Sequence, residues 1–189
     1  MISPLAFTLT IAQLSGFFEP NIGQFGDEVL YVARSTRGMA LFTPTSAVDS
    51  RGIILELPRA KGAKYILRTR AQGTTTYSSA VFVPRYEKLA RLDVAPGIDA
   101  MFTLDEQGTV QCDFIAHEGA DPASLEIVYK GVDRVFLDGT GKLTVRTMAG
   151  KNFEPSIHVY RMTEGRQVEV DVQPIVRRDG VVMLAVMSK

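Results

Sequence analysis

The sequence is poor in the residues that carry redox and zinc chemistry. It contains one cysteine, Cys112, and two histidines in 189 residues. A single cysteine cannot form an internal disulfide, and a Cys-rich zinc site is excluded, so any metal would need carboxylate ligands. The flanks of Cys112, Val-Gln-Cys-Asp-Phe, alternate in polarity. This alternation predicts a strand in which the thiol acts as a small hydrophobic group.

The sequence also lacks an excess of charge and a long hydrophobic run. Its 21 basic and 21 acidic residues give a formal net charge of zero, which disfavours nucleic acid and anionic bilayers as partners. The apolar stretch over residues 1–16 is too short and too polar for a membrane span, so no membrane insertion is expected. No Lys or Arg precedes its apolar core, which makes it a poor signal peptide. We expect residues 1–17 to be the remnant of a leader or the first strand.

Helical periodicity is scarce. Only residues 85–92 place apolar side chains at helix-like spacing, and Pro84 just before them is equally compatible with an extended edge. We therefore predict at most one short helix. Because 46% of the residues are hydrophobic, residues 18–189 have enough apolar surface for a single β domain, or for two packed β subdomains split near residue 95.

Short strands of β-branched and aromatic residues, closed by Gly, Asn, Asp or Pro clusters, recur along the chain. The clearest hairpin joins residues 100–104 to residues 110–116 through the four-residue polar link at 105–108, which ends in Gly108. Further strands are predicted at residues 28–35, 39–43, 47–49, 53–57, 65–71, 80–83, 125–129, 134–137, 142–147, 157–162, 167–175 and 181–187. Regular spacing without long crossovers predicts an all-β fold of antiparallel hairpins, arranged as a β-sandwich or an open barrel.

The sequence has no G-x-S-x-G elbow, P-loop, dinucleotide-binding fingerprint or HExxH motif. Its densest cluster of titratable side chains consists of Asp113, His117, Glu118 and Asp121, and Asp99 would join it if the predicted hairpin forms. Asp113, His117 and Asp121 are candidate ligands for Ca²⁺ or another divalent metal. His117 and Asp113 are also candidate catalytic residues, as a general base and the carboxylate that orients it. The alternative is that the carboxylates cap turns and His117 lies in solvent.

Four residues are candidate binding residues, namely Asn21, Tyr86, Asp99 and Asp121. Asn21 belongs to the segment Glu-Pro-Asn-Ile-Gly-Gln, in which Pro fixes φ and Asn and Gly tolerate left-handed conformations. Such a segment is either a binding loop or a structural turn. Tyr86 would be an aromatic anchor on a sheet face.

Several segments, in order from Phe18 to the C-terminus, together resemble a known family. They are FEPNIGQ at 18–24, LFTPT at 41–45, VPRY at 83–86, PGID at 96–99, CDF at 112–114 and GADPAS at 119–124. The sequence is similar to the N-terminal domain of unknown function of large secreted bacterial proteins that carry SBBP-type β-propeller repeats. It departs from that family at Ala95 and Cys112, where tyrosines are usual, and no propeller repeats follow. The resemblance implies an extracellular or cell-envelope location.

Two functional hypotheses follow. The first is a non-catalytic β-sandwich module without a cofactor, for adhesion, for glycan or peptide binding, or for packing against neighbouring protein domains. An unpaired edge strand would also allow a homodimer. The alternative is a small hydrolase or metal-dependent enzyme centred on Asp99, Asp113, His117 and Asp121. Convergence of these four side chains in one pocket would favour the enzyme.

Overall fold

The computed structural model describes residues 16–60, 64–78 and 81–187, and these residues form seventeen β-strands and one short 3-10 helix. In chain order the elements are β1 Gly16–Pro20, β2 Tyr31–Ser35, β3 Gly38–Phe42, β4 Ser46–Asp49, β5 Ile54–Glu56, β6 Tyr65–Ser78, β7 Val81–Ala95, β8 Ile98–Leu104, β9 Val110–Ala116, the 3-10 helix Pro122–Ser124, β10 Glu126–Lys130, β11 Val132–Leu137, β12 Leu143–Thr147, β13 Asn152–Phe153, β14 His158–Thr163, β15 Arg166–Val170, β16 Val172–Val176 and β17 Val182–Val186. The predicted all-β class is confirmed. The predicted strand over residues 1–17 lies outside the described residues except for its last two positions.

Fourteen strands form one large, nearly closed sheet in the order β15-β14-β9-β8-β7-β1-β2-β3-β4-β5-β10-β17-β16, with β6 paired to β7. Strands β11, β12 and β13 form a separate three-stranded sheet. Most neighbouring strands are antiparallel. They include β8 and β9, which form the predicted hairpin with Met101 opposite Asp113. The pair β9–β14 departs from the predicted antiparallel arrangement, because these strands run parallel with Asp113 opposite His158.

Residues 85–92 are extended, which is the alternative left open beside Pro84. This segment lies within β7, where Tyr86 pairs with Arg70 of β6 and with Phe18 of β1. Leu89 pairs with residues on both neighbouring strands and is fully buried. Because partners on both edges satisfy the backbone hydrogen bonds of the strand, the helix-like spacing of three apolar residues does not decide the local structure. The single 3-10 turn instead begins after Asp121, where Pro122 fixes φ.

The strand predicted over residues 167–175 is divided in two at Asp171. The carbonyl oxygen of Asp171 accepts a hydrogen bond from the Met187 amide at 3.0 Å. Before this bend β15 pairs with β14, and after it β16 pairs with β17. The two ends of the large sheet are therefore consecutive in the chain, which accounts for its nearly closed form.

The two sides of the sheet meet through aromatic side chains. Phe42 on β3 lies 5.0 Å from Phe102 on β8 between ring centroids, although three strands separate β3 from β8 in the sheet order. Phe42 also contacts Phe18 and Tyr65 at 5.9 Å and 6.3 Å. We call these four residues the aromatic core. The buried cluster around them draws on residues before and after residue 95, from Phe18 to Leu184.

The buried side chain of Arg91 forms hydrogen bonds with two loops beside the aromatic core. Arg91 is 1% exposed, and its Nη2 donates to the carbonyl oxygens of Pro44 at 2.6 Å and Ala60 at 3.1 Å. Its guanidinium lies 5.3 Å from the ring centroid of Tyr65. Burial lowers the pKa of Arg91 and raises the pKa of Tyr65 to about 12.

Within the described residues, no helix is long and apolar enough to cross a membrane.

Candidate functional site

A cleft opens beside the aromatic core, between strands β3–β4 on one wall and β8–β9 on the other. It consists of two adjoining hollows of about 240 Å³ and 310 Å³. The hollows share five lining residues, Ala40, Asp49, Arg51, Thr109 and Val110. Their sizes are at the lower end of the range for ligand pockets, and clefts of this kind occur in the mouths of β-barrels.

The cleft exists because one wall carries small side chains. Ala33 and Ala40 lie opposite each other on β2 and β3, and Ala47 lies between Phe42 and Leu55. Each presents a single methyl group to the interior. The facing wall carries Leu104 and Val110, which pair across β8 and β9. Because the alanines do not fill the space opposite this pair, the two walls stay apart.

The charged groups at the mouth of the cleft are already paired. The Asp49 carboxylate accepts hydrogen bonds from the backbone amides of Arg51 and Ile53 at 2.9 Å and 3.0 Å. It also accepts from the Arg51 guanidinium at 2.6 Å. The same guanidinium lies 4.8 Å from the ring centroid of Phe153.

Two other charged residues line the cleft, and each also has a partner: Arg37 donates to the Gln107 carbonyl oxygen, and Glu154 pairs with Lys142. The lining therefore combines aliphatic walls with charges that are already paired, which favours an uncharged ligand.

Cys112 lies on the cleft wall opposite Phe102, and this placement agrees with its predicted role as a small apolar group in a strand. Burial raises the pKa of the Cys112 thiol, so the thiol stays protonated at neutral pH. Tyr129 lines the same hollow, and burial raises its pKa as well. These groups give the cleft no nucleophile activated for catalysis at neutral pH.

Asp99 and His117 are in contact. Asp113, which the predicted hairpin was expected to bring near Asp99, lies opposite Met101 instead. The Asp99 Oδ2 and His117 Nε2 atoms are 2.8 Å apart, at the end of the β8–β9 hairpin. Asp99 Oδ1 also accepts the backbone amide of Asp93 at 2.9 Å. The His117 side chain is 52% exposed, and neither residue lines the cleft. The pair is a surface contact beside the Ala95–Ile98 turn.

Asp113 and Asp121 lie in other surroundings. Asp113 is beside His158 across the parallel pair of strands. Burial raises the pKa of Asp113, an effect that His158 opposes and Glu169 reinforces. Asp121 caps the 3-10 helix by accepting the Ala123 amide at 3.0 Å. Among the described residues, no group of three or more His, Cys, Asp and Glu side chains is placed to hold a metal ion. The metal and catalytic roles of these residues stay predictions.

Asn21 organises the loop that follows β1. Its Nδ2 donates to the carbonyl oxygens of Phe25, Gly26 and Val29, the last at 2.8 Å. Its Oδ1 accepts the amides of Gly23 and Phe25 at 3.1 Å. The amide group is thus engaged within the loop, as expected for the structural-turn alternative.

Tyr86, the other predicted binding residue, is half-buried. The Arg70 guanidinium lies 5.4 Å from its ring centroid, and its ring packs against the core.

A buried polar network was not predicted from the sequence. The Glu19 carboxylate is fully buried, accepts from Arg34 Nε at 2.8 Å and accepts the Tyr77 hydroxyl. Burial lowers the pKa of Arg34, but hydrogen bonds to Glu19 and Tyr77 outweigh it and raise the pKa. The network ties β6 to β1 and β2. Because 58 residues separate Glu19 from Tyr77, no local pattern indicates the contact.

The cleft residues were also missed. The only signal was the alternation of small side chains at Ala33, Ala40 and Ala47 with polar or larger neighbours, which places the alanines on one face of each strand. That pattern does not say which strands face each other. The facing wall comes from residues more than fifty positions later.

Comparison with family models identifies one match, to a domain of unknown function (DUF7948), over residues 53–186. No curated protein and no solved structure matches the chain. The family match includes β8 and β9 and therefore one complete wall of the cleft. It bears out the resemblance to a domain of unknown function. Since the match covers most of the chain, this protein belongs to the DUF7948 family.

Proposed function

We propose that this domain is a non-catalytic binding module whose cleft accepts an extended, uncharged, apolar peptide segment. The segment would belong to a partner protein or to a neighbouring domain. The family resemblance supports an extracellular or envelope setting in bacteria. The observation that carries the proposal is the cleft itself, with its alanine wall and its paired charges.

The chemistry of the walls favours a peptide over a glycan. Ala40, Ala47 and Val110 offer aliphatic surface, which gains from burying apolar side chains. The charged side chains of the lining bind partners within the protein, so the hydration of sugar hydroxyls would have to be replaced mainly by the serine and threonine hydroxyls of the lining. An extended segment also suits a groove that runs between two pairs of strands, because its alternate side chains point to one side.

The test is a titration of synthetic peptides and oligosaccharides against the full chain by calorimetry. The peptides would alternate Leu or Ile with Thr, and matched peptides would carry Lys in place of the apolar residues. We expect binding of the apolar peptides only. Filling the cleft with Ala47→Leu should weaken this binding about tenfold or more, which corresponds to about 1.4 kcal/mol.

The matched control is Ala185→Leu. Ala185 lies on β17 between Leu184 and Val186, outside the residues that line the cleft, and undergoes the same chemical change. This variant should bind as the wild type does. Binding of oligosaccharides without binding of apolar peptides, or equal peptide binding by both variants, would overturn the proposal.

A further inference from the structure

We infer that the two hollows of the cleft bind two different side chains of one extended peptide. The larger hollow, of about 310 Å³, takes a large apolar side chain, and the smaller hollow, of about 240 Å³, takes a small or hydroxyl-bearing one. Phe153 is the residue that sets the preference of the larger hollow. This inference rests on the proposed function of the cleft and names the class of peptide that the cleft accepts.

Aromatic side chains surround the larger hollow. Phe102 on β8, Tyr129 on β10 and Phe153 on β13 all line it. Phe153 belongs to the separate three-stranded sheet, so this small sheet supplies part of the wall. The Arg51 guanidinium lies 4.8 Å from the Phe153 ring centroid. Rings from three elements favour a further ring or a long aliphatic side chain, because aromatic pairs contribute more than the area that they bury.

The longer polar side chains of the larger hollow have partners of their own. Gln111 donates to the Asp105 carboxylate at 2.9 Å, and Glu154 pairs with Lys142 at 3.4 Å. An apolar side chain can therefore enter without leaving these groups unpaired.

The smaller hollow differs in its chemistry. Ser35, Ser50 and Thr109 contribute hydroxyl groups to its lining, and none of the described residues that line it is aromatic. A large apolar side chain placed there would displace water from these hydroxyl groups without offering them a hydrogen bond. A small side chain, or one with a hydroxyl group, avoids this cost.

One extended segment can reach both hollows. The hollows adjoin, since they share lining residues that include Ala40 and Val110. Side chains two residues apart in an extended chain point to the same side and are separated by about 6.6 Å. The expected ligand therefore has a large apolar residue two positions away from Ser, Thr or Ala.

The test uses end-blocked, uncharged peptides and calorimetry with the full chain. The reference peptide is Gly-Thr-Phe-Thr-Ser-Thr-Gly, and two relatives replace either its Phe by Ser or its central Ser by Phe. Replacing Phe should weaken binding about tenfold or more, because the larger hollow then stays unfilled. The second Phe should weaken binding several-fold, because the smaller hollow does not accept it.

Phe153→Ala tests the assignment of the preference. In this variant the replacement of Phe by Ser in the peptide should weaken binding by no more than about threefold, because the two substitutions remove the same contact. If Phe153→Ala does not fold, Phe153→Leu replaces it. Phe153→Leu keeps an apolar wall and should shift the preference from Phe towards Leu at the same peptide position.

The matched control is Phe136→Ala. Phe136 lies on β11 of the same small sheet, is also half-buried and also has an arginine beside its ring, but it is outside the residues that line the cleft. This variant should keep the full preference for Phe.

The outcomes separate the inference from the proposed function. If the three peptides bind equally well, or if Phe153→Ala and Phe136→Ala show the same preference, while Ala47→Leu still blocks binding, the inference is overturned and the proposed function stands. If neither these peptides nor the alternating Leu or Ile peptides bind to the wild type, the proposed function fails and the inference with it.

Discussion

Two inward-facing positions on one strand lead to opposite outcomes. Phe42 fills the interior by contacting Phe18, Tyr65 and Phe102, whereas Ala40, two residues earlier on the same face, leaves the space between the walls open. The aromatic core and the cleft are thus neighbouring parts of one interior. The difference shows that side-chain volume, rather than a change of fold, separates the stabilising region from the candidate binding region.

The largest expected effect comes from emptying the aromatic core. Phe42→Ala should lower the free energy of unfolding by about 3–5 kcal/mol, because a buried ring leaves both lost contacts and a cavity. The control is Val110→Ala on the cleft wall, where the loss should be about 1 kcal/mol, since the side chain already borders open space. Denaturant titration measures both. Equal losses would contradict the distinction between core and cleft.

The next largest effect is expected at Gly131, in the turn between β10 and β11, which packs against Gly52 in the loop between β4 and β5. Gly131 has φ of +69°, and a Cβ atom there would overlap the Gly52 carbonyl oxygen. Gly131→Ala should therefore cost about 2 kcal/mol of unfolding free energy, since the left-handed conformation alone costs an L-residue about 1–2 kcal/mol. Gly150, with φ of +76° and no atom within 4 Å of such a Cβ, is the matched control. If Gly150→Ala destabilises the protein as much, close packing at Gly131 is not the cause.

Alkaline pH should weaken the aromatic core by a similar or smaller amount. The pKa of Tyr65 rises from 10.0 to about 12 on folding, chiefly through burial. The folded state holds this proton more tightly, so the stabilisation is complete below pH 10 and is lost as the pH rises towards 12. By pH 12 the loss should be about 2 kcal/mol, because most but not all of the two pKa units, at 1.36 kcal/mol each, is then lost.

Tyr65→Phe isolates this contribution. The variant loses the hydrogen bond to the Thr43 carbonyl oxygen, so it should be less stable at neutral pH by about 1 kcal/mol. Its stability should then fall less steeply than that of the wild type between pH 10 and pH 12. If the free energy of unfolding falls equally steeply with pH in both proteins, the pKa of Tyr65 is not raised by folding.

The smallest effect is expected outside both regions. Asp99→Asn should change the free energy of unfolding by less than about 1 kcal/mol, because His117 is half exposed and an asparagine oxygen can still accept the Asp93 amide. Peptide binding should be unchanged, since neither residue lines the cleft. Loss of binding in this variant, with the fold intact, would move the functional site to the Asp99–His117 pair.

The local part of the fold is readable from the sequence, and the long-range part is not. Turn residues such as Gly108 and Gly141 mark the hairpins because they determine φ within a few residues. The parallel pairing of β9 with β14 joins segments some forty residues apart, and the sequence of neither segment indicates which strand it pairs with.

The same distinction applies to the candidate site. The proximity of Asp99 and His117 follows from one hairpin and could be anticipated from its turn. The cleft arises from alanines on β2–β4 facing residues of β8 and β9, and the Glu19 network joins residues 58 positions apart. Which surfaces face each other is decided by the closure of the whole sheet, so these features required the structure.

The most direct test of the cleft as a peptide site is photocrosslinking, which needs no reactive side chain on the protein. An apolar alternating peptide with a diazirine on its central side chain would be irradiated with the full chain, and the adducts located by mass spectrometry. We predict that the adducts fall on residues that line the cleft, such as Val110 and Cys112. Ala47→Leu should reduce their yield, and Ala185→Leu should not. Adducts scattered over the surface, or formed equally in both variants, would contradict the account.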